Sequence, residues 1–267
     1  AYIAKHSTYY SRVFNNFGVD VGSIRGIDEL PLLPVTTKDE LQKYNDEFIC
    51  VPRKKVIDMI TTSGTLGDPV TFAMTDKDLD RLAYNEYLSL SCAGADERDT
   101  FQLMTTIDRR FMAGLAYFLG ARKMGAGIIR VGNGMPELQW DSIRRLKPTA
   151  FIVVPSFLLK LIEFAEQNGI DYRHTGVSKA VCIGETLRKP DFSYTTLAKK
   201  ILDKWDIELY STYASTEMST AFTECEHAVG GHQHCDPIIV EFLDDNNQTV
   251  GEGETWEATI TTRGVQR

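Results

Sequence analysis

No stretch of this 267-residue sequence approaches the roughly 20 consecutive apolar residues that a membrane-crossing helix needs, so no membrane partner is expected. The opening residues, Ala1-Tyr2-Ile3-Ala4-Lys5-His6, carry no apolar run of the kind a secretory leader requires. Cysteine is too scattered for a disulfide framework, with an odd set of five at Cys50, Cys92, Cys182, Cys225 and Cys235. A reducing, cytoplasmic compartment is the expectation. Positive charge is in deficit, 29 Lys and Arg against 37 Asp and Glu, for a net charge of −8. A nucleic-acid backbone demands the opposite excess and is excluded as the main partner. That sum leaves room for a local anion pocket. No internal repeat and no low-complexity linker is present. What remains is an ordinary globular composition, 43% apolar and 25% charged, enough for one large α/β domain or two smaller ones.

Periodicity organises the chain. Ile3, Tyr10, Val13, Phe14 and Phe17 recur at near-helical spacing, so an amphipathic helix is expected over 2–17, with Gly18 as its stop. Pro31-Leu32-Leu33-Pro34 is expected to run extended over the surface. Thr37-Lys38-Asp39-Glu40 fits a capping box. Strands are then expected over 56–62, 70–73, 101–105, 127–131, 150–154, 177–183 and 207–213, the 127–131 strand being short and buried. Helices are expected over 76–90 (capped by Thr75), 111–123, 138–146, 157–167 and 194–205. This alternation predicts an α/β fold, a layered and mostly parallel sheet flanked by helices. The tail differs: 238–243, the turn Asp244-Asp245-Asn246-Asn247 and 255–262 read as a small antiparallel β segment. The domain reading is a nucleotide- and acyl-binding core over 1–237 and the antiparallel segment over 238–267. No closing element follows it, so the sequence is expected to be a fragment of a longer protein.

Four segments carry chemistry. Thr61-Thr62-Ser63-Gly64-Thr65-Leu66-Gly67-Asp68-Pro69 lies between two expected strands. Its glycines permit sharp turns whose N–H groups converge on an anion, and its hydroxyls add donors. It is not a Walker loop, because no Gly-Lys-Ser/Thr follows. The alternative is a plain hairpin turn. Tyr210-Ser211-Thr212-Tyr213-Ala214-Ser215-Thr216-Glu217-Met218 ends a strand, where open α/β sheets bind ligands. A hydroxyl and a carboxylate there suit phosphate and magnesium, and a solvated loop is the alternative. Val181-Cys182-Ile183-Gly184-Glu185-Thr186 and Phe151-Ile152-Val153-Val154-Pro155-Ser156 are two further strand ends.

Taken together and in this order, these segments resemble the adenylate-forming superfamily of acyl-CoA synthetases, in its phenylacetate–CoA ligase branch. That branch's phosphate loop reads Ser/Thr-Ser-Gly-Thr-Thr-Gly-x-Pro and its strand-end motif Tyr-Gly-x-Ser/Thr-Glu. Here Thr62-Ser63-Gly64-Thr65-Leu66-Gly67-Asp68-Pro69, Tyr213-Ala214-Ser215-Thr216-Glu217, Glu224-Cys225 and Gly230-Gly231-His232 take those places. Tyr9-Tyr10-Ser11 and Leu30-Pro31-Leu32-Leu33-Pro34-Val35-Thr36-Thr37-Lys38 match the opening.

The resemblance implies a ligase with ATP/AMP, Mg2+ and coenzyme A as cofactors and a small carboxylic acid, aromatic favoured, as substrate. It implies that Thr62, Ser63, Gly64, Thr65 and Gly67 cradle the β- and γ-phosphates. Thr216 would touch the α-phosphate and Glu217 would bind magnesium, with Thr65, Thr216 and Glu217 as the catalytic set. Gly184, Glu185, Thr186, Tyr213, Ala214 and Ser215 would border the nucleotide. Phe111, Leu115, Tyr117, Phe118 and Met218 would wall the acyl pocket, the alternative for 111–118 being an ordinary core helix. Leu66, Asp68, Ala214 and Trp256 depart from the pattern. The family's Arg-x-x-x-Asp segment and its lysine-bearing C-terminal domain have no counterpart in the sequence.

Cys225, His227, His232, His234 and Cys235 crowd one short stretch. Two readings stay open: a zinc site drawing on Cys225, His232, His234 and Cys235, or a polar loop with incidental histidines. In some relatives the matched Cys225 and His232 would be completed by a Cys-x-Cys pair beyond position 267. Besides the ligase reading stand a non-catalytic binding or structural fragment, self-associating as a homo-oligomer, and an enzyme passing its acyl group to a protein thiol or a reductase.

Overall fold

In the computed structural model, which describes residues 1–62, 68–251 and 257–265, the single helix expected over 2–17 is two. Helix α1 (Tyr2–His6) stops at Ser7, whose extended backbone and side-chain oxygen, accepting from Tyr10 N at 3.2 Å, start α2 (Thr8–Asn16) afresh. A short hydroxyl side chain competes with the helix ladder and favours the cap position. Leu30–Leu32 forms a 3-10 turn rather than the extended run expected there. Pro31 is tolerated because the first turn of a helix needs no N–H from it. Helix α3 (Lys38–Lys43) carries the expected capping box, with Thr37 and Glu40 bonding each other's main-chain N–H.

Two compact units emerge, one from Ala1–Leu79 with Cys235–Arg267 and the other from Asp80–His234. In the first, β1 (Val56–Thr61) pairs antiparallel with β2 (Thr71–Thr75). Helix α4 (Asp76–Cys92) follows directly, and Thr75 and Asp78 cap it by mutual hydrogen bonds.

The second unit holds a six-stranded sheet. Strands β3 (Thr100–Leu103), β4 (Gly127–Arg130), β5 (Ala150–Val153), β6 (Lys179–Cys182), β7 (Glu208–Ser215) and β8 (Thr220–Thr223) lie in the order β4-β3-β5-β6-β7-β8. All neighbours are parallel except β8, which runs antiparallel to β7. Strand β8 was not foreseen. Strand β4 corrects another expectation: it is the sheet's edge, with Gly127 and Arg130 exposed, and so is not buried.

Helices α5 (Met112–Met124), α6 (Pro136–Leu146), α7 (Pro155–Gln167) and α8 (Thr196–Leu202) fill the crossovers. Alternation along β5 sends Phe151 and Val153 into one cluster with Trp140, Leu161, Ile201 and Trp205. Ala150 and Ile152 go into the other, with Leu90, Leu103, Tyr117 and Val181. Period-two side chains thus bury both sheet faces, one under α6, α7 and α8 and the other under α4 and α5. After this unit, β9 (Ile238–Leu243) and β10 (Glu257–Thr262) form the expected antiparallel pair in the first unit. Among the described residues no helix is long and apolar enough to cross a membrane.

Helices α4 and α5 meet at Gly120, where an added Cβ would lie 2.4 Å from Glu86 Cβ and 2.9 Å from the Glu86 main-chain carbon. Gly120→Ala is therefore expected to destabilise by about 1–3 kcal/mol through overpacking, despite its better helix propensity. A urea midpoint at or above wild type would contradict this close approach.

Candidate functional site

The carboxyl ends of β5, β6 and β7 are consecutive neighbours in the sheet, and three of the four chemistry-bearing segments lie there. After β5, Pro155 opens α7 without needing an N–H. After β6, Gly184 takes φ +75°, a conformation other residues rarely adopt. The turn delivers Glu185 back to α7. Ser156 N donates to one Glu185 carboxylate oxygen and Ser156 Oγ to the other, both at 2.8 Å. An anion at a helix N-terminus is favoured by the unpaired N–H groups and the dipole. Glu185 therefore ties the ends of β5 and β6 together, while Gly184 and Thr186 beside it are exposed.

Strand β7 changes partners midway. Glu208–Ser211 pairs with β6, and Thr212–Ser215 pairs with β8. The closing pair is Ser215↔Thr220, and Thr216–Ser219 forms the turn between them. Ser215 Oγ accepts from Met218 N at 3.2 Å, and the Ser215 and Thr216 carbonyls both accept from Ser219 N at 3.2 Å. Ser219 sits at φ +51°. Thr216 and Glu217 are half-buried at the tip, Met218 is buried behind them, and Tyr213 lies 68% exposed with its ring stacked on Phe222 at 6.4 Å. Ala214 pairs with Ala221 in ordinary strand geometry, so this position requires no glycine.

The base of the hairpin is polar and largely buried. Arg188 donates through Nε and Nη2 to the two Glu224 carboxylate oxygens, at 3.2 Å each, and Ser211 N donates to the same carboxylate at 2.7 Å. The Arg188 guanidinium also lies 3.9 Å from the centre of the Tyr194 ring. Thr212 and Thr223 share a buried hydroxyl–hydroxyl bond of 2.9 Å.

Phe111 is exposed at the start of α5, Leu115 and Phe118 are half-buried, and Arg130 sits 5.6 Å from the Phe118 ring centre. Tyr117 faces the sheet as a core residue, where burial raises its phenol well above the usual value. The core-helix reading describes Tyr117.

In the other unit, β1 and β2 frame the hydroxyl- and glycine-rich loop. Thr62 N donates to Val70 O and Val70 N donates to Thr62 Oγ1, both at 3.0 Å, so Thr62 fastens the neck of the loop. Asn45 braces the same end: its side chain donates to Thr71 O at 2.9 Å and accepts from Thr71 N at 3.0 Å. Ser63, Gly64, Thr65 and Gly67 lie outside the described residues, as do Leu66, Thr255 and Trp256.

Among the described residues no three His, Cys, Asp or Glu side chains gather as a metal site. His232 is exposed, its N–H donating to Thr223 O at 3.0 Å. His234 turns its Nε2 toward Cys92 Sγ at 3.8 Å, and Cys235 is exposed. Cys225 is half-buried. Sequence reasoning missed the supports Arg81, Asn85 and Arg188, and it quoted Glu224 in a motif without a role.

Comparison with known proteins agrees with this architecture. A family model described as AMP-binding enzyme matches residues 19–266. A phenylacetate-coenzyme A ligase of Thermus thermophilus is 27% identical over 268 residues, covering 98% of this chain and 58% of that protein. One of Escherichia coli is 33% identical over 159 residues, covering 59% of this chain and 36% of that protein. A crystal structure of 2-hydroxyisobutyryl-CoA ligase in complex with 2-HIB-AMP and CoA shares the fold. Its TM-score is 0.85 at 21% identity, covering 98% of this chain and 58% of that one. The chain thus spans a little over half the length of the Thermus relative.

Proposed function

Since the chain belongs to the AMP-binding enzyme family, we propose that it supplies the nucleotide- and acid-binding part of an ATP-dependent acid–thiol ligase. A carboxylate oxygen of a small acid, aromatic favoured, attacks the α-phosphorus of ATP. The bond from that phosphorus to the bridging oxygen breaks and pyrophosphate leaves with the electron pair. The thiol sulfur of coenzyme A then attacks the acyl carbon, loses its proton, and AMP departs.

The observation that carries this reading is the turn beyond the carboxyl end of β7, which presents Thr216 and Glu217 together. Phosphoryl transfer needs positioning and charge neutralisation rather than covalent help. The Thr216 hydroxyl is suited to donate to an α-phosphate oxygen. Glu217 and Thr216 offer hard oxygen ligands, the donor set magnesium takes, and magnesium when bound neutralises phosphate charge. The exposed Tyr213 ring, backed by Phe222, offers a face for the base. Ser63, Gly64, Thr65 and Gly67 are assigned the β- and γ-phosphates on their sequence pattern. Thr62 serves by closing the loop neck, and Glu185 by holding Gly184 and Thr186 in place. The five free thiols support a reducing, cytoplasmic setting.

Glu217→Gln is expected to weaken ATP binding in magnesium by about tenfold or more, the scale of one lost charge-assisted contact, and to leave binding in EDTA unchanged. Calorimetric titration of both proteins under both conditions measures this. Equal affinity in magnesium, with circular dichroism unchanged, removes Glu217 from the site.

A further inference from the structure

The Thr216–Ser219 turn is fixed internally by its own hydrogen bonds, but those bonds set its shape and not the direction in which it points from the sheet. That direction is set from α4, more than a hundred residues earlier in the chain. Arg81 Nη1 donates to Ser219 O at 2.8 Å. Thr220, the first residue after the turn, donates its hydroxyl to Asn85 Oδ1. Arg81 and Asn85 are four apart on one helix, so both lie on the same face. The two gripped positions are consecutive and begin two residues after Glu217.

Asn85 is fully buried and both ends of its amide are committed. Its Nδ2 donates to Glu86 Oε1 at 3.2 Å, which leaves Oδ1 as the acceptor that Thr220 meets. Ser219 holds a left-handed backbone at φ +51°, a conformation that a non-glycine residue rarely adopts. A charged donor on the carbonyl of that residue opposes its relaxation. Helix α4 is a firm reference for this grip, because Leu90 belongs to the buried cluster on that sheet face and α5 abuts the helix at Gly120.

We propose that Arg81 and Asn85 are positioning residues for the phosphate–magnesium site: they aim the turn that carries Thr216 and Glu217 without touching the nucleotide. This rests on the reading of Thr216 and Glu217 given above. Asn85→Leu removes both amide bonds with no change of charge. Arg81→Met removes the grip on Ser219, and Arg81→Lys keeps a cationic donor there.

The full 267-residue chain and each variant are titrated with ATP in magnesium and in EDTA. The readout is the ratio of the two dissociation constants, which a general loss of folded protein does not change. Asn85→Leu and Arg81→Met are each expected to shrink the magnesium enhancement about fivefold to tenfold, the effect of one misplaced charge-assisted contact. Arg81→Lys is expected to keep most of it. A wild-type ratio in folded Arg81→Met overturns the proposal, even if Asn85→Leu does not fold. If Glu217→Ala also keeps the wild-type ratio, the reading of the turn fails first and this inference falls with it. If Glu217→Ala loses the enhancement while Arg81→Met retains it, only the positioning role is lost.

Discussion

Arg188→Met is expected to cost the protein about 3–5 kcal/mol, the scale seen when one partner of a buried ion pair is removed. The reason lies in what stays behind. Glu224 is 1% exposed, and its carboxylate receives Arg188 through two donors at 3.2 Å and Ser211 N at 2.7 Å. Without the guanidinium, one backbone N–H stands against a buried charge whose desolvation runs to several kcal/mol. Methionine also gives up the cation over the Tyr194 ring. The double variant Arg188→Met, Glu224→Met is expected to recover a large part of the loss, because it leaves no unpaired charge. Urea midpoints at constant slope measure both. A single variant within 1 kcal/mol of wild type would mean that Glu224 is satisfied by other means. The effect would also reach the β7–β8 hairpin, since Glu224 main-chain N donates to Ser211 O at 3.0 Å.

Glu86→Gln is expected to be stabilising at high pH and neutral at low pH. Burial raises the Glu86 carboxyl from 4.5 to about 8, and the hydrogen bond from Asn85 opposes this only in part. Its other oxygen, Oε2, has no hydrogen-bond partner among the described residues. The protonated form is thus the one the folded protein prefers. Stability from that proton is fully present below the unfolded value and is lost as pH rises through about 8. The slope is about 1.4 kcal/mol per pH unit, so the whole window is worth on the order of 5 kcal/mol. Gln carries no such proton, and the advantage of the variant should grow from pH 5 to pH 8.5. Denaturant titrations at those two values test it. A constant difference between the proteins would show that Glu86 ionises freely.

The fold was legible where punctuation is chemical. The Thr37 box and the Thr75 cap marked helix starts, and alternating strands and helices gave the parallel sheet. The misses have physical reasons. Ser7 splits the first helix by a hydrogen bond that apolar spacing does not register. Strand β8 is four residues of Thr-Ala-Phe-Thr, joined to β7 through a turn that uses Ser219, rather than glycine, in the left-handed region. Strand β4 looked buried because Ile128 and Ile129 are apolar, but a sheet edge is a property of strand order, which no local pattern encodes. The strand-end segments of the site were legible because Pro155, Gly184 and the Tyr213–Glu217 stretch are local. Arg81 and Asn85 were not, since their meaning depends on residues 138 and 135 positions away.

The first unit is made of two stretches, Ala1–Leu79 and Cys235–Arg267, with the whole of the other unit encoded between them. Its halves meet where Ile27, Asp28 and Pro31 line a cleft of about 400 Å³ with Ile239, Glu241, Phe242 and Val250. Domains commonly fold in the order in which the ribosome releases them. Here the unit that begins first along the chain is also the last to be completed. The β1–β2 loop segment emerges early, yet its unit waits for β9 and β10, while the intervening sheet has all its strands in hand beforehand. Synthesis therefore leaves the surfaces around Ile27 and Pro31 without their partners until residues 239–250 have been made, and a ribosome stalled before position 235 would present them to chaperones.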